Sequence, residues 1–274
     1  MEHLAERLAQ IPGVVAVTLG GSRARGRVRA DSDWDFGLYY RNQLRAADVR
    51  ALGLSGEVGE PGQWGRIMNG GAWLMVDDTR VDLIYRDLDH VGHWLSETEA
   101  GRFDIDLLPN FVAGIPTYVL AGELAVSKVL RGELPKPTFP EALKSTAPAR
   151  WYGHAAFALA NADTAAARGD VTYCVGLLTR AAIAAAQARL AEQGRWALNE
   201  KGITTDAGLG EVEALLGSPG RSREGLKRSA AELRAILGLQ APSGLKLDEA
   251  ITRLNGGRMK PPLDPSTRGT EIQR

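Results

Sequence analysis

The sequence predicts an α+β chain: a mixed unit over residues 1–132, a helical unit over 138–255 and a flexible tail over 256–274. Three observations carry this. Short β-branched and aromatic runs separated by turn residues fill the first half. Long alanine-rich stretches with apolar residues at helical spacing fill the second. Between them, Gly132 to Pro140 reads GELPKPTFP, three prolines in nine residues, which makes a stiff connector.

Leu4, Leu8 and Ile11 share one face of a first helix, which Pro12-Gly13 ends. Val14 to Leu19 reads as a strand. Asp33 to Tyr40 reads as a second, with Trp34, Phe36 and Leu38 on one face and Asp33, Asp35 and Gly37 on the other. Leu44 to Leu54 suggests a helix, and Gly56 to Gly71 is glycine-rich and irregular. Ala72 to Val76 and Arg80 to Tyr85 form a hairpin that turns at Asp77-Asp78-Thr79. Asp87 is the N-cap of another helix. After the connector, helices are expected over Ala147–Arg168, Asp170–Gln193, Glu211–Leu216, Arg223–Leu237 and Leu247–Leu254, with disorder from Gly256.

Lysine plus arginine equals aspartate plus glutamate at 33 each, so no basic excess supports a nucleic-acid coat. The one cysteine, Cys174, cannot form an internal disulfide, and a reducing cytoplasm fits. The opening MEHLAERLAQ has no secretory apolar core. No apolar run is expected to approach the roughly 20 residues of a membrane span.

Thr18 to Tyr40, TLGGSRARGRVRADSDWDFGLYY, places a Gly20-Gly21-Ser22 corner after one strand and an Asp-x-Asp pair at the start of the next. Nucleotidyl transfer needs neutralised phosphate charge and an attacking oxygen in line with the leaving pyrophosphate. Two Mg²⁺ ions on carboxylates supply both. Alternate residues of a strand share a face, so Asp33 and Asp35 converge on one metal site. The Gly20-Gly21-Ser22 corner lets the backbone approach phosphate oxygens, and a helix starting at Ser22 would add its dipole. Asp82, between Val81 and Leu83 in an apolar strand, supplies the third carboxylate, since an acid there needs a partner or a metal.

These motifs, Leu19-Gly20-Gly21-Ser22, Asp33-Trp34-Asp35 and Val81-Asp82-Leu83, resemble the nucleotidyltransferase superfamily with the DNA polymerase β-like fold. The longer forms GGSRARG, SDWDFGLYY and RVDLIYRDLDHV are similar to small bacterial aminoglycoside and lincosamide nucleotidyltransferases with a helical second domain. The resemblance covers residues 15–90 and is only architectural beyond them. It implies a twisted mixed sheet, Mg²⁺ dependence, a nucleoside triphosphate such as ATP, and the third aspartate or a nearby glutamate as the base. It also implies a lysine from the helical unit on the triphosphate. Lys201 in LNEKG is the candidate, against the alternative of an exposed loop lysine.

Several residues keep two readings. Arg23 and Arg25 either contact phosphate or belong to a solvated loop, while Arg27 and Arg29 are read as solvated. Trp64 and Trp73 stack on a base or sugar, or simply pack. Trp151, Tyr152 and His154 pack or line the substrate site. Glu200 pairs with a cationic substrate or has no role, and Cys174 is a core residue. The leading function is transfer of a nucleoside monophosphate, AMP first, to a hydroxyl of a small-molecule acceptor such as an antibiotic. A protein-adenylylating antitoxin and a non-catalytic nucleotide-binding protein are the alternatives. The site would be Asp33, Asp35 and Asp82 with Mg²⁺, and Gly20, Gly21, Ser22, Arg23, Arg25 and Lys201 on the nucleotide.

Overall fold

A computed structural model describes residues 1–24, Gly26 and residues 33–239. Arg25, Arg27, Arg29, the expected helix over Leu247–Leu254 and the tail lie outside the described residues.

The chain opens with α1 (Glu2–Ala9), β1 (Val14–Leu19), the single turn α2 (Gly21–Ala24) and β2 (Trp34–Tyr40). Next come α3 (Ala46–Arg50), β3 (Ser55–Val58), α4 (Gly65–Met68) and β4 (Gly71–Val76). Then follow β5 (Thr79–Asp87), α5 (Leu88–Glu99), β6 (Ile105–Asp106), β7 (Ile115–Pro116), α6 (Val119–Val126) and β8 (Lys128–Arg131). A six-stranded sheet runs in the order β3-β4-β5-β2-β1-β8. Its β2–β5 pair is parallel and the other pairs are antiparallel, so the sheet is mixed as expected.

Alternation sorts the two faces. Val17, Phe36, Leu38, Val81, Leu83 and Tyr85 point into one core with Leu4, Ala5 and Leu8 of α1 and Val49 of α3. The opposite face carries Ala16 and Tyr39 against Val91 of α5 and Leu124 of α6, which cover only part of it. Hairpin β4–β5 turns through Asp77 and Asp78, both at positive φ, as the twist of a two-residue hairpin loop demands. Asp87 caps α5, its Oδ1 accepting from the Asp89 and His90 amides.

Three elements differ from expectation. α3 is shorter than the helix read over Leu44–Leu54, because the chain turns out at Gly53 with φ +69°. β3 pairs with β4 inside the stretch read as irregular. The segment after α5, which shows no periodic pattern, supplies α6 and the edge strand β8 beside β1.

Gly132 to Pro140 is neither helix nor strand. The rest is helical: α7 (Glu141–Arg168), α8 (Val171–Glu192), α9 (Ile203–Asp206), α10 (Glu211–Gly217) and α11 (Arg223–Leu237). α7 starts before Ala147 and runs through Pro148, which gives up one backbone hydrogen bond but fits the helical φ. Asp170 caps α8 through the Tyr173 amide. By length and composition α8 is apolar enough to cross a membrane, contrary to the sequence expectation. Its side chains from Ala181 to Ala186 are buried in the helical core with those of α7, so packing accounts for the apolarity. Cys174 is buried there too, and burial raises its thiol pKa.

The helical core extends into the first half. Phe103, Ala113 and Tyr118 belong to the same apolar cluster as Leu143, Trp151 and Leu178. Tyr118 accepts from Trp151 Nε1 at 2.8 Å and donates to Gln187 Oε1 at 3.3 Å. Trp151 is thus a packing residue, and Tyr152 donates to Glu192. Tyr118→Phe would strand a buried indole N–H and a buried amide oxygen. We expect it to destabilise the chain by about 1–3 kcal/mol, read as a lower urea midpoint at unchanged slope.

Candidate active site

The parallel β2–β5 register sets the site. It places Asp35 opposite Asp82, and the antiparallel β4–β5 register places Trp73 opposite Asp82 on the other side. Asp35, Asp82 and Trp73 therefore form one row across the exposed part of the sheet. Thr18 and Gly37, paired on β1 and β2, lie on the same face. A Cβ on Gly37 would sit 2.6 Å from Thr18 Oγ1, so glycine keeps this floor low.

The glycine corner closes on Asp35. The Gly20 amide donates to the Asp35 carbonyl at 2.7 Å. Gly21 has φ +61°, and a Cβ there would lie 1.7 Å from Asp35 Oδ2. Only glycine lets the backbone lie on that carboxylate. α2 begins at Gly21, so Ser22 is in a single helical turn. Arg23 lies over the Trp34 ring, 4.4 Å from its centroid, and its Nε donates to the Asp33 carbonyl at 3.2 Å.

Asp33 lies one residue before β2, and Arg80 Nε holds its Oδ1 at 2.8 Å. Among the described residues, no group of three acidic, histidine or cysteine side chains is arranged to enclose an ion. Asp33 is thus engaged by Arg80 in this arrangement. Even so, the Asp33 charge, after burial, raises the Asp82 carboxyl above its ordinary range, while Arg80 and Lys201 lower it. An acid destabilised by a neighbouring acid calls for a cation. Mg²⁺ suits this donor set, since it typically takes one or two carboxylates and leaves the remaining positions to substrate phosphates and water.

The row opens into a cavity of about 890 Å³ shared by both halves of the chain. Lys201 enters it from the loop between α8 and α9, with Leu198 and Asn199. Glu200 beside it faces away. Its carboxylate accepts from the amides of Val112, Ala113 and Gly114 at 2.6, 2.9 and 3.1 Å. Glu200 is thus a latch between two loops, a role neither sequence reading foresaw; its only signal was an acid with no local partner.

Arg86 and Glu123 close the inner end of the cavity. Arg86 is 2% exposed and grips Glu123 with two bonds of 2.7 Å. Its Nη1 donates to the carbonyls of Ile67, Met68 and Tyr85. Glu123 is therefore not available as a base. The signal for Arg86 was its place in β5, on the face of Asp82 and Ile84. Trp64 and Trp73 stack at 4.6 Å between centroids. The expected position of Arg25 lies outside the described residues.

Gly21→Ala tests the corner. An added methyl must displace the Asp35 carboxylate or the backbone. We expect the variant to unfold near the wild-type temperature yet lose Mg²⁺-dependent triphosphate binding, measured by calorimetry.

Residues 1–91 match the family model of the nucleotidyltransferase domain. A crystal structure of a nucleotidyltransferase-like protein from Exiguobacterium sibiricum aligns over 86% of this chain and 72% of its own, at 13% identity and a TM-score of 0.43. No curated protein matches the chain. Residues 1–91 are thus similar to a nucleotidyltransferase domain, the mixed sheet they build is completed by β8, and a helical region follows from Glu141.

Proposed function

We propose that the chain transfers a nucleoside monophosphate, AMP from ATP, to a hydroxyl of a small molecule. The domain match supports nucleotidyl transfer in general. The observation that carries the finer reading is the Asp35–Asp82 register pair beside the Gly20-Gly21 corner, in a cavity that Lys201 enters from the helical half. The cavity's size suits a small molecule.

In this reading the acceptor oxygen bonds to the α-phosphorus as the bond to pyrophosphate breaks. The hydroxyl proton passes to Asp82, which the strand register sets beside Asp35 on the cavity floor. Gly20, Gly21, Ser22 and Arg23 hold the phosphate oxygens, and Lys201 neutralises them. Asp35 and Asp82, with Asp33 beside them, would hold Mg²⁺. When bound, the metal supplies charge neutralisation on the triphosphate.

A pyrophosphate-release screen with four triphosphates and Mg²⁺, against aminoglycosides, lincosamides and the protein itself, tests the reading. Asp82→Asn keeps size and packing and should still bind triphosphate, but its turnover should fall by roughly two to four orders of magnitude. Normal turnover in that variant would move the base elsewhere. Lys201→Ala should weaken triphosphate binding by about tenfold and leave acceptor binding alone. Equal loss for both ligands would remove Lys201 from the phosphates.

A further inference from the structure

The cavity also constrains the acceptor, if the transfer reading holds. In-line displacement puts the leaving pyrophosphate and the attacking hydroxyl on opposite sides of the α-phosphorus. The row across the sheet runs from the Gly20-Gly21 corner through Asp35 and Asp82 to Trp73. With the pyrophosphate at the corner, the acceptor lies at the Trp73 end.

That end is apolar and aromatic. Trp73 is 53% exposed, and Trp64 lies against it with ring planes 26° apart. The pair has reserved space: a Cβ on Gly71 would lie 2.6 Å from the Trp64 ring. Leu108, Phe111 and Leu198 supply further apolar lining. Such an exposed ring pair is suited to stacking against a flat ligand.

Glu57 of β3 is the register partner of Trp73, so one carboxylate borders this end among the described residues. Among the described residues the cavity holds Asp35, Asp82 and Glu123. The first two face the triphosphate, and Arg86 neutralises Glu123 in a bidentate pair. Glu200 is spent on three backbone amides. We infer that the acceptor is a hydroxyl-bearing molecule with a flat apolar face that stacks on Trp73, and not a polycation that lacks such a face.

The test uses calorimetry with three probes: 2-naphthol as a flat neutral alcohol, neomycin as a polycation, and α,β-methylene-ATP with Mg²⁺. 2-Naphthol should bind the wild type, bind Trp73→Ala about tenfold more weakly, and recover in Trp73→Phe. The ATP analogue should bind all three proteins alike. Neomycin binding should not respond to Trp73. The inference is overturned if 2-naphthol ignores Trp73→Ala, or if neomycin is the probe that responds. It is also overturned if the ATP analogue weakens in step, which would make the pair a nucleobase platform. If the analogue fails to bind even the wild type while 2-naphthol still depends on Trp73, the apolar face stands and the transfer reading falls.

Discussion

The parallel pairing of β2 with β5 is the constraint on which the site depends. It sets Asp35 opposite Asp82, and the same register buries Phe36 beside Leu83 on the other face. Because side chains alternate, a slip of one residue would turn Asp82 into the apolar core and Leu83 into the cavity. The core thus fixes the acids. The two strands are joined by a long excursion through α3, β3, α4 and β4, so the pairing is non-local and gains its stability from packing on both faces.

Behind the acids, Arg86 ties β5 to α6 through Glu123 and to α4 through the Ile67 and Met68 carbonyls. A buried guanidinium is costly to desolvate, and here a carboxylate and three carbonyls offset that. The same contact anchors the segment that carries Trp64, so the aromatic platform and the strand bearing Asp82 share one support. Asn69 adds to it, donating to the Tyr40 hydroxyl at 2.9 Å.

Much of this was legible because period-two alternation is strong where one face is buried and the other carries acids. β1, β2 and the β4–β5 hairpin fall where Val14–Leu19, Asp33–Tyr40 and Ala72–Tyr85 read as strands. The Gly20-Gly21 corner and Asp82 stood out since each breaks its local pattern. β3 was not legible, as SGEV is a largely exposed edge strand whose strand partner is β4. α6 was not, as VLAGELAV is apolar all round and carries no period. Spacing along one strand placed Asp33 with Asp35, but the grip of Arg80 on Asp33 depends on the neighbouring strand. Glu200 answers to amides far away in sequence, which no local pattern encodes.

The Glu200 latch joins the segment from Leu108 to Gly114 to the loop carrying Leu198 and Lys201. The apolar lining of the cavity and its lysine are therefore one mechanical part. An exchange of residues 108–114 alone, to broaden what the cavity accepts, would detach the lysine as well. A graft that keeps both functions must carry 108–114 and 198–201 together, with the acid that staples them.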